Sequence, residues 1–388
     1  MHDESLGKLD KWVRENGWSG YDPYDIKGAQ PFLMLSKMKA TDFAASKAVG
    51  RFPMASRRFF KVEKQINSKA MGLFSRAYVR LHKKRPGGDY GIQATECLNW
   101  LKQNFSPGYA GKCWGYPFNW QSRVLIPKGT PSVVVSSIAA HAFMDAYEAF
   151  GEKEYLDIAR STCDFIINDL NRDEDDDGLC FSYTPLDNFH VHNANLFGAS
   201  LLARVGRQSG ENELKKLALK SMAFTMKHQN HDGSFFYWAP PDHMFRIADN
   251  YHTGFVLEAL NVCRRALGED FRYEKELKKG LDFYARELFT GSGESKMTAS
   301  EKYPINIHSC AQGIITFQEL ADYDKVNIKI SEKVAEWTIK HMQDPTGYFY
   351  HQINRKGYVD RTPYIRWGQA WMILALSYLA EDKNETGF

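Results

Sequence analysis

The sequence lacks the features that mark several large classes of protein. None of its six cysteines belongs to a CxxC pair, so neither a zinc knuckle nor a dithiol redox motif is indicated. No uninterrupted apolar run approaches the roughly 18 residues that a membrane-spanning helix needs. Basic and acidic residues nearly balance, at 50 against 47, and the basic ones are scattered along the chain. We therefore expect neither a membrane span nor a nucleic-acid partner.

Two further absences bear on location and cofactors. The chain opens with Met1-His2-Asp3-Glu4, which lacks the positive charge at the start of a secretory leader. The cysteines are far apart and are predicted to be buried or free thiols, as is typical of a reducing compartment. We expect a cytoplasmic protein, and we predict neither a cofactor nor a bound metal.

Aromatic residues, at 14% of the chain, are plentiful, and they fall within an internal repeat of roughly sixty residues. Each repeat begins with an amphipathic helix, such as those predicted at 156–170, 277–288 and 330–341. A turn with glycine and aromatic residues follows, and then a helix that is apolar or small on nearly every face. The pattern predicts pairs of helices, one on the outside of the fold and one fully buried.

The turns and the buried helices keep a common register. Gly178 and Gly233 are 55 residues apart, and Gly347 follows Gly233 after 114 residues, or two repeats. The buried helices are predicted to begin near Pro131, His192, His252, His308 and Arg366. The first repeat, at about 1–90, is longer, with an outer helix from Lys8 to Glu15 and a helix-rich stretch from about Gln30 to His82.

Six outer and six inner helices predict an all-α (α/α)6 toroid that forms a single domain over residues 1–388. An open α-solenoid is the competing architecture, but its repeats are usually shorter. In a toroid the aromatic hairpins meet at one rim, so residues at the start of each inner helix converge there. The candidate substrate-binding residues on this rim are Asp25, Trp114, Tyr116, Trp120, His190, Asn193, Asn250, Tyr251, Tyr303, Gln312, Tyr364, Arg366 and Gln369.

Two carboxylates on the rim suggest a catalytic pair. Asp187 and Asp249 precede His192 and His252 by five and three residues, so they are expected at similar heights on neighbouring repeats. Glycoside hydrolysis usually needs one carboxylic acid and one carboxylate on opposite sides of the scissile bond. Our leading hypothesis is therefore hydrolysis of an oligosaccharide by this pair. The alternative for both residues is that they cap helices.

Three histidines, His192, His252 and His308, recur at corresponding places and support a second hypothesis. Histidine titrates near neutral pH and can exchange a carbon-bound proton, as sugar epimerisation or elimination requires. Arg366 would then hold a uronate carboxylate. A third hypothesis is a non-catalytic glycan-binding protein.

The acidic run 173–178 has two functional interpretations. Asp173, Asp175, Asp177 and Gly178 fit part of a calcium loop, but Thr184 stands where a bidentate Glu is expected. The DxDD string of Asp173 to Asp176 matches a terpene-cyclase acid but falls after an outer helix, away from the rim. We interpret the run as a solvated turn.

Across essentially its whole length the chain resembles the six-hairpin glycosidase-like superfamily. The segments 181–185, 191–195, 250–255 and 366–371 resemble uncharacterised proteins encoded with surface-polysaccharide assembly genes. The resemblance implies an activity on carbohydrates. Unsaturated glucuronyl hydrolases and N-acylglucosamine 2-epimerases are similar in architecture. No catalytic residue is carried over from either family.

A second, weaker similarity is to the QW repeats of triterpene cyclases. Gln229 with Gly233 and Phe235 fits the pattern Q-x-x-x-G-x-F, and Gln343 with Gly347 and Phe349 fits it again. We interpret this pattern as a structural marker of the place where a helix ends and a turn begins.

Overall fold

Two rings of helices make up the computed structural model, which describes residues 1–29, 32, 49–242 and 246–382. Within these residues the outer ring consists of α1 (His2–Glu15), α4 (Tyr90–Gln103), α6 (Lys153–Asn168), α8 (Asn212–Met226), α10 (Glu274–Glu287) and α12 (Val326–Met342). The inner ring consists of α3 (Ser68–Lys84), α5 (Val133–Phe150), α7 (His192–Ser209), α9 (Asn250–Leu267), α11 (Ile307–Glu319) and α13 (Ala370–Leu379). A short helix, α2 (Pro53–Phe59), lies between α1 and α3.

The two rings differ in how much of each helix is buried. Inner helix α5 is buried along nearly its whole first three turns, from Val133 to Met144. Outer helix α6 buries one stripe, which includes Tyr155, Ala159 and Ile166. The difference follows from composition, because only a helix that is apolar or small on every face can lie between neighbours without leaving polar groups unpaired.

The inner ring closes on itself. Each inner helix packs against the next, and α13 packs against α3. The last outer helix reaches the first in the same way, because Gln343 Nε2 donates a hydrogen bond to the backbone oxygen of Ser5 at 3.1 Å. This closure confirms the predicted (α/α)6 toroid and rules out an open solenoid. Four of the inner helices begin within two residues of the predicted positions, and the fifth predicted start, Arg366, lies in a π-helical turn (Ile365–Gln369) that leads into α13. Of the predicted helix-rich stretch, residues 30, 31 and 33–48 lie outside the described residues.

Five glycines allow the hairpins to pass beneath the outer ring. A Cβ atom on any of them would lie within 3 Å of backbone atoms of the next outer helix; these glycines are Gly111, Gly178, Gly233, Gly293 and Gly347. Gln229 and Gln343 lie where an outer helix gives way to such a turn, as their pattern predicts. The side-chain amide of each donates to the carbonyl of the glycine four residues later and to the backbone of the next outer helix. Gly293 belongs to the series but did not stand out in the sequence.

Replacing Gly347 by alanine is expected to lower the free energy of unfolding by about 3 kcal/mol. Its φ is +115°, and an added Cβ would lie 2.3 Å from the backbone oxygen of Lys8, on the helix that closes the ring. Gly357→Ala is the matched control, because Gly357 also has a positive φ, +74°, but faces open space. Urea denaturation should show a loss of only about 1 kcal/mol for this control. Equal losses would contradict a role for the helix contact.

The short strands lie in the connections between outer and inner helices. The antiparallel pairs are β1 (Ser19–Gly20) with β2 (Gln65–Ile66), β3 (Trp120–Gln121) with β4 (Leu125–Ile126) and β5 (Arg172–Asp175) with β6 (Gly178–Phe181). A three-stranded sheet joins β7 (Ile305–Asn306), β8 (Gln352–Ile353) and β9 (Val359–Asp360) in that order.

The acidic run forms the β5–β6 hairpin, where Glu174 pairs with Lys220 at 2.6 Å and Asp175 with Lys227 at 3.3 Å. The described residues contain no group of three or more acidic, histidine or cysteine side chains placed to hold a metal ion. All six cysteines are free and buried, as predicted. Among the helices of the described residues, none has the length and apolar character needed to cross a membrane.

Candidate active site

A His–Asp pair lies at the N-terminus of inner helix α9. Asp249 caps the helix, because its Oδ1 accepts a hydrogen bond from the backbone N–H of His252 at 3.0 Å. Its other oxygen, Oδ2, lies 2.6 Å from Nδ1 of the same histidine. A carboxylate at Nδ1 favours the tautomer with the proton on that nitrogen and a free lone pair on Nε2. His252 keeps 23% of its side chain exposed.

Tyrosines from several repeats surround this pair. The rings of Tyr237 and Tyr251 lie 4.3 and 4.2 Å from the ring of His252. Tyr24 is within electrostatic range of Asp249, and burial, more than the nearby carboxylates, raises the pKa of its hydroxyl to about 12. All three rings nevertheless keep some accessible surface. These rings therefore form a partly accessible but largely desolvated aromatic cluster beside His252.

Trp120 extends this aromatic wall towards the second repeat. Its ring lies 5.8 Å from that of Tyr116 and 5.3 Å from that of Tyr183. Burial raises the pKa of both tyrosine hydroxyls, which therefore remain protonated hydrogen-bond donors at neutral pH. The predicted binding residues Tyr116, Trp120 and Tyr251 thus lie in one aromatic lining.

Arg366 brings a buried positive charge to the same end of the toroid. Its Nε and Nη2 donate to the two carboxylate oxygens of Asp22 at 2.5 and 2.7 Å. The guanidinium also lies 4.8 Å from the centroid of the Tyr116 ring and 5.6 Å from that of Tyr24. Although burial opposes the charge, Asp22 raises the pKa of Arg366 above its usual value, so the cation persists.

His308 and Lys69 lie behind the aromatic lining. The ring of His308 stacks on Tyr251 at 4.8 Å and meets Trp367 edge-on at 4.5 Å, and neither of its nitrogens has a hydrogen-bond partner. Lys69 Nζ lies 5.3 Å from the centroid of the Trp371 ring. Burial lowers the pKa of both residues well below their usual values, and for each the charge of Arg366 adds to that effect. At neutral pH His308 is therefore an uncharged residue of an aromatic core.

Asp187 organises its own loop. Its Oδ1 accepts the backbone N–H groups of Tyr183 and Phe189, and its Oδ2 accepts the backbone N–H and hydroxyl of Thr184. Burial raises the pKa of the carboxyl, and the hydrogen bond from the Thr184 hydroxyl is the largest opposing effect. Four hydrogen bonds from the loop leave this carboxylate little capacity to act on a substrate, in contrast to the hydrolytic role expected from the sequence.

His192 and His190 point to the outer layer instead of the rim. The ring of His192 packs among Phe224, His228 and Phe235, and burial lowers its pKa to about 3. His190 bridges two carboxylates, with Nδ1 3.0 Å from Asp242 and Nε2 3.1 Å from Asp173. Of the three histidines expected on the rim, only His252 combines partial exposure with a carboxylate partner.

The candidate amides mostly stabilise the fold. Asn250 donates to the backbone oxygen of Leu288, and Gln369 exchanges two hydrogen bonds with the backbone of Phe349. Gln312 donates to Glu258 inside the inner ring. The side-chain oxygen of Asn193 is buried without a partner.

The other predicted binding residues have varied surroundings. Trp114 is fully buried and donates from Nε1 to the backbone oxygen of Leu101, so it is a core residue. Asp25 forms an ion pair with Arg57 at 2.7 Å, and Arg57 also donates to the Tyr364 hydroxyl. Tyr303 is half-buried and precedes a cis peptide bond to Pro304.

Sequence reasoning missed a second His–Asp pair at this end of the toroid. His351 Nδ1 lies 2.8 Å from Asp360 Oδ2, and the backbone oxygen of His351 accepts from Ile307, the first residue of α11. Lys69 and Tyr237 were also missed. Tyr183 and Tyr237 occupy matching places in the Phe181-Ser182-Tyr183 and Phe235-Phe236-Tyr237 turns. This correspondence between repeats would have identified the two tyrosines as candidate site residues.

Comparison with known proteins finds similarity in structure but not in sequence. No family model matches the chain, and no curated protein matches it in sequence. Among solved structures, it is similar to a sugar epimerase from a ruminal bacterium (TM-score 0.63, 12% identity, 83% of this chain and 91% of that chain covered). It is also similar to cellobiose 2-epimerase from Bacillus thermoamylovorans B4167 (TM-score 0.63, 13% identity, 82% and 90% covered).

A GH76 α-mannanase from Bacteroides thetaiotaomicron is a further structural neighbour (TM-score 0.60, 14% identity, 80% and 86% covered). These neighbours include both epimerases and a glycoside hydrolase, and at such identities they establish architecture. The chain therefore has the (α/α)6 toroid fold that these solved structures share.

Proposed function

We propose that this protein is a carbohydrate-active enzyme that moves a proton at a sugar carbon, as a sugar epimerase or isomerase does. The observation that carries the proposal is the Asp249–His252 pair, joined at 2.6 Å within a cluster of tyrosines. The carboxylate holds the imidazole in one tautomer, so that Nε2 is available as a base.

The bonding of the two candidate carboxylates favours proton transfer over hydrolysis. A hydrolytic pair needs one carboxyl to protonate the leaving oxygen and another to act as base or nucleophile. Both oxygens of Asp187 are occupied by its loop, and both oxygens of Asp249 by His252. A histidine that acts as a proton-transfer base requires no second free carboxylate.

The proposed reaction begins with an open-chain sugar whose carbonyl lies beside the abstracted proton. His252 Nε2 takes the proton, and the electron pair of the C–H bond moves to the carbonyl oxygen to give an enediolate. Arg366 and the protonated tyrosine hydroxyls stabilise the negative charge on that oxygen. Return of a proton to the opposite face of the carbon gives the epimer. His351, which Asp360 holds in the same way, is our candidate for the proton donor.

The aromatic lining supports a saccharide as substrate. Tyr116, Trp120 and Tyr251 offer flat apolar faces, and their polar edges can bond hydroxyl groups. The proposed setting remains surface-polysaccharide metabolism in the cytoplasm, as the sequence suggests.

The test is to incubate the purified protein in heavy water with a panel of neutral and uronate-containing oligosaccharides. Proton NMR and mass spectrometry should detect deuterium on a ring carbon next to the reducing-end carbonyl, together with the epimer and without cleavage. New reducing ends without carbon-bound deuterium would show hydrolysis and overturn the proposal. Saccharide binding with neither product would instead support a non-catalytic glycan-binding protein.

A further inference from the structure

A cavity of about 400 Å³ lies at the end of the inner ring opposite the candidate active site. It is lined by residues near the C-terminal ends of inner helices, including Arg80 of α3, Arg204 of α7 and Arg265 of α9. The candidate active site lies at the N-terminal ends. Arg80 and Lys69 are eleven residues apart on one helix, which corresponds to about 16 Å along its axis. The two sites are therefore separate.

The lining has an excess of positive charge. It includes seven arginine and lysine side chains but only three carboxylates. Each carboxylate is already engaged: Asp145 pairs with Arg76 and Arg204, Glu148 with Arg204, and Glu319 with Arg80 and Arg265. Arg76 also reaches buried Glu258 at 3.5 Å. Even with Glu258 counted, the cations outnumber the acids around the cavity.

Part of this charge is explained by the helix ends. Lys84 Nζ donates to the backbone oxygens of Tyr378 and Ala380 at the end of α13, and Arg207 Nη1 donates to the backbone oxygen of Arg265. Cations at helix C-termini stabilise the exposed carbonyl groups there. However, each arginine has five N–H donors, and Arg207 uses one of them in this contact.

Arg80 provides a more specific indication of a ligand. Its guanidinium carbon lies over the Tyr378 ring, 3.5 Å from the centroid, and Nη2 lies 3.4 Å from a carboxylate oxygen of Glu319. Its Nε is buried and has no hydrogen-bond partner among the described residues. An unpaired buried donor of a charged group is costly. The Arg80 side chain as a whole is 35% exposed, so an anion in the cavity can approach its guanidinium.

We propose that this cavity binds a small phosphorylated molecule. Its volume falls within the range of small-molecule sites, and forked arginine donors match the oxygens of a phosphate group. A group that carries about two negative charges near neutral pH offsets the excess of cations better than a single carboxylate does. Arg80 and Arg207 bind the phosphate oxygens, while Arg76 and Arg204 remain paired with the acidic residues.

The test is isothermal titration calorimetry of the intact protein with sodium pyrophosphate at constant ionic strength. Saturable binding with one site per chain is expected. Citrate, which has similar charge but only carboxylates, should bind at least tenfold more weakly. Binding of both with equal affinity would overturn the assignment to phosphate, and no saturable binding of pyrophosphate would overturn the site.

Two variants test the residues. Arg207→Gln and Arg80→Gln should each raise the pyrophosphate Kd about tenfold or more, the effect of losing a hydrogen bond between charged groups. Arg286→Gln is the matched control, because Arg286 is an exposed arginine on outer helix α10, beside Glu287. Arg207→Gln supplies the answer if Arg80→Gln does not fold, since Arg207 lies at the exposed end of its helix. An unchanged Kd for Arg207→Gln, or an equal rise for Arg286→Gln, would overturn the proposal.

Discussion

Replacement of His252 by glutamine is expected to slow deuterium incorporation into a responsive sugar by about a thousandfold. Glutamine can form hydrogen bonds but cannot take up a proton from carbon. The backbone N–H of residue 252 can still donate to Asp249, so the helix cap should remain. The exchange rate should be measured by NMR on protein whose circular dichroism and unfolding midpoint match those of the wild type.

His192→Gln is the matched control for this experiment. His192 also lies at the start of an inner helix, but its ring packs against Phe224 and His228 of the outer layer. Exchange per folded molecule should therefore stay close to that of the wild type, because the His192 ring lies away from the proposed base. If His252→Gln retains full exchange, or if His192→Gln loses as much, the assignment of His252 as the base is wrong.

Substitutions of Asp249 separate its two roles. Asparagine is as good a helix cap as aspartate, so Asp249→Asn should retain stability, whereas Asp249→Ala should lose about 1 kcal/mol. Both remove the charge that holds the Nδ1 proton and stabilises the imidazolium. Exchange should therefore fall in both variants. Loss of exchange only in the alanine variant would indicate that Asp249 acts as a cap.

The fold could be predicted because the signals that define it are local and repeated. The spacing of apolar residues gives helix type and burial, and the glycines at 178, 233 and 347 give the register of the turns. These glycines recur for one physical reason, which is the close passage of each hairpin beneath the next outer helix. The long first connection has no such pattern, and its boundaries could not be derived.

The candidate site was predicted only in part, because side-chain direction depends on single residues of register. His192, His308 and His252 are the first, second and third residues of their helices. Each step of one residue turns a side chain by about 100° around the helix axis. Histidines that correspond in the repeat pattern therefore point into the outer layer, the aromatic core and the rim, respectively. Boundaries predicted to within two residues cannot distinguish these outcomes.

Asp187 illustrates a second limit. Its position before an inner helix fits both a catalytic carboxylate and a structural one, and the sequence left both open. The outcome depends on the loop from Tyr183 to Phe189, which turns its backbone N–H groups towards the carboxylate. Such a loop conformation has no periodic signature. The same holds for Tyr24, whose connection brings its ring near Arg366.

Replacement of Asp22 by alanine is expected to lower the free energy of unfolding by about 3–5 kcal/mol. Asp22 and Arg366 are both buried, and the arginine donates two hydrogen bonds to the carboxylate. Removal of Asp22 leaves a guanidinium without its counter-charge in the interior. The pair also joins the first repeat to the last, so its loss weakens the closure of the ring.

Urea denaturation of the double variant Asp22→Ala/Arg366→Met identifies the cause of this loss. If the unpaired charge is responsible, removing the arginine as well should recover most of the stability, because a methionine needs no partner in the interior. Asp157→Ala is the control, since Asp157 is exposed on outer helix α6 and should change stability by less than about 0.5 kcal/mol. A double variant as unstable as Asp22→Ala would show instead that Asp22 acts mainly through the hydrogen bond that its carboxylate accepts from the backbone N–H of Tyr24.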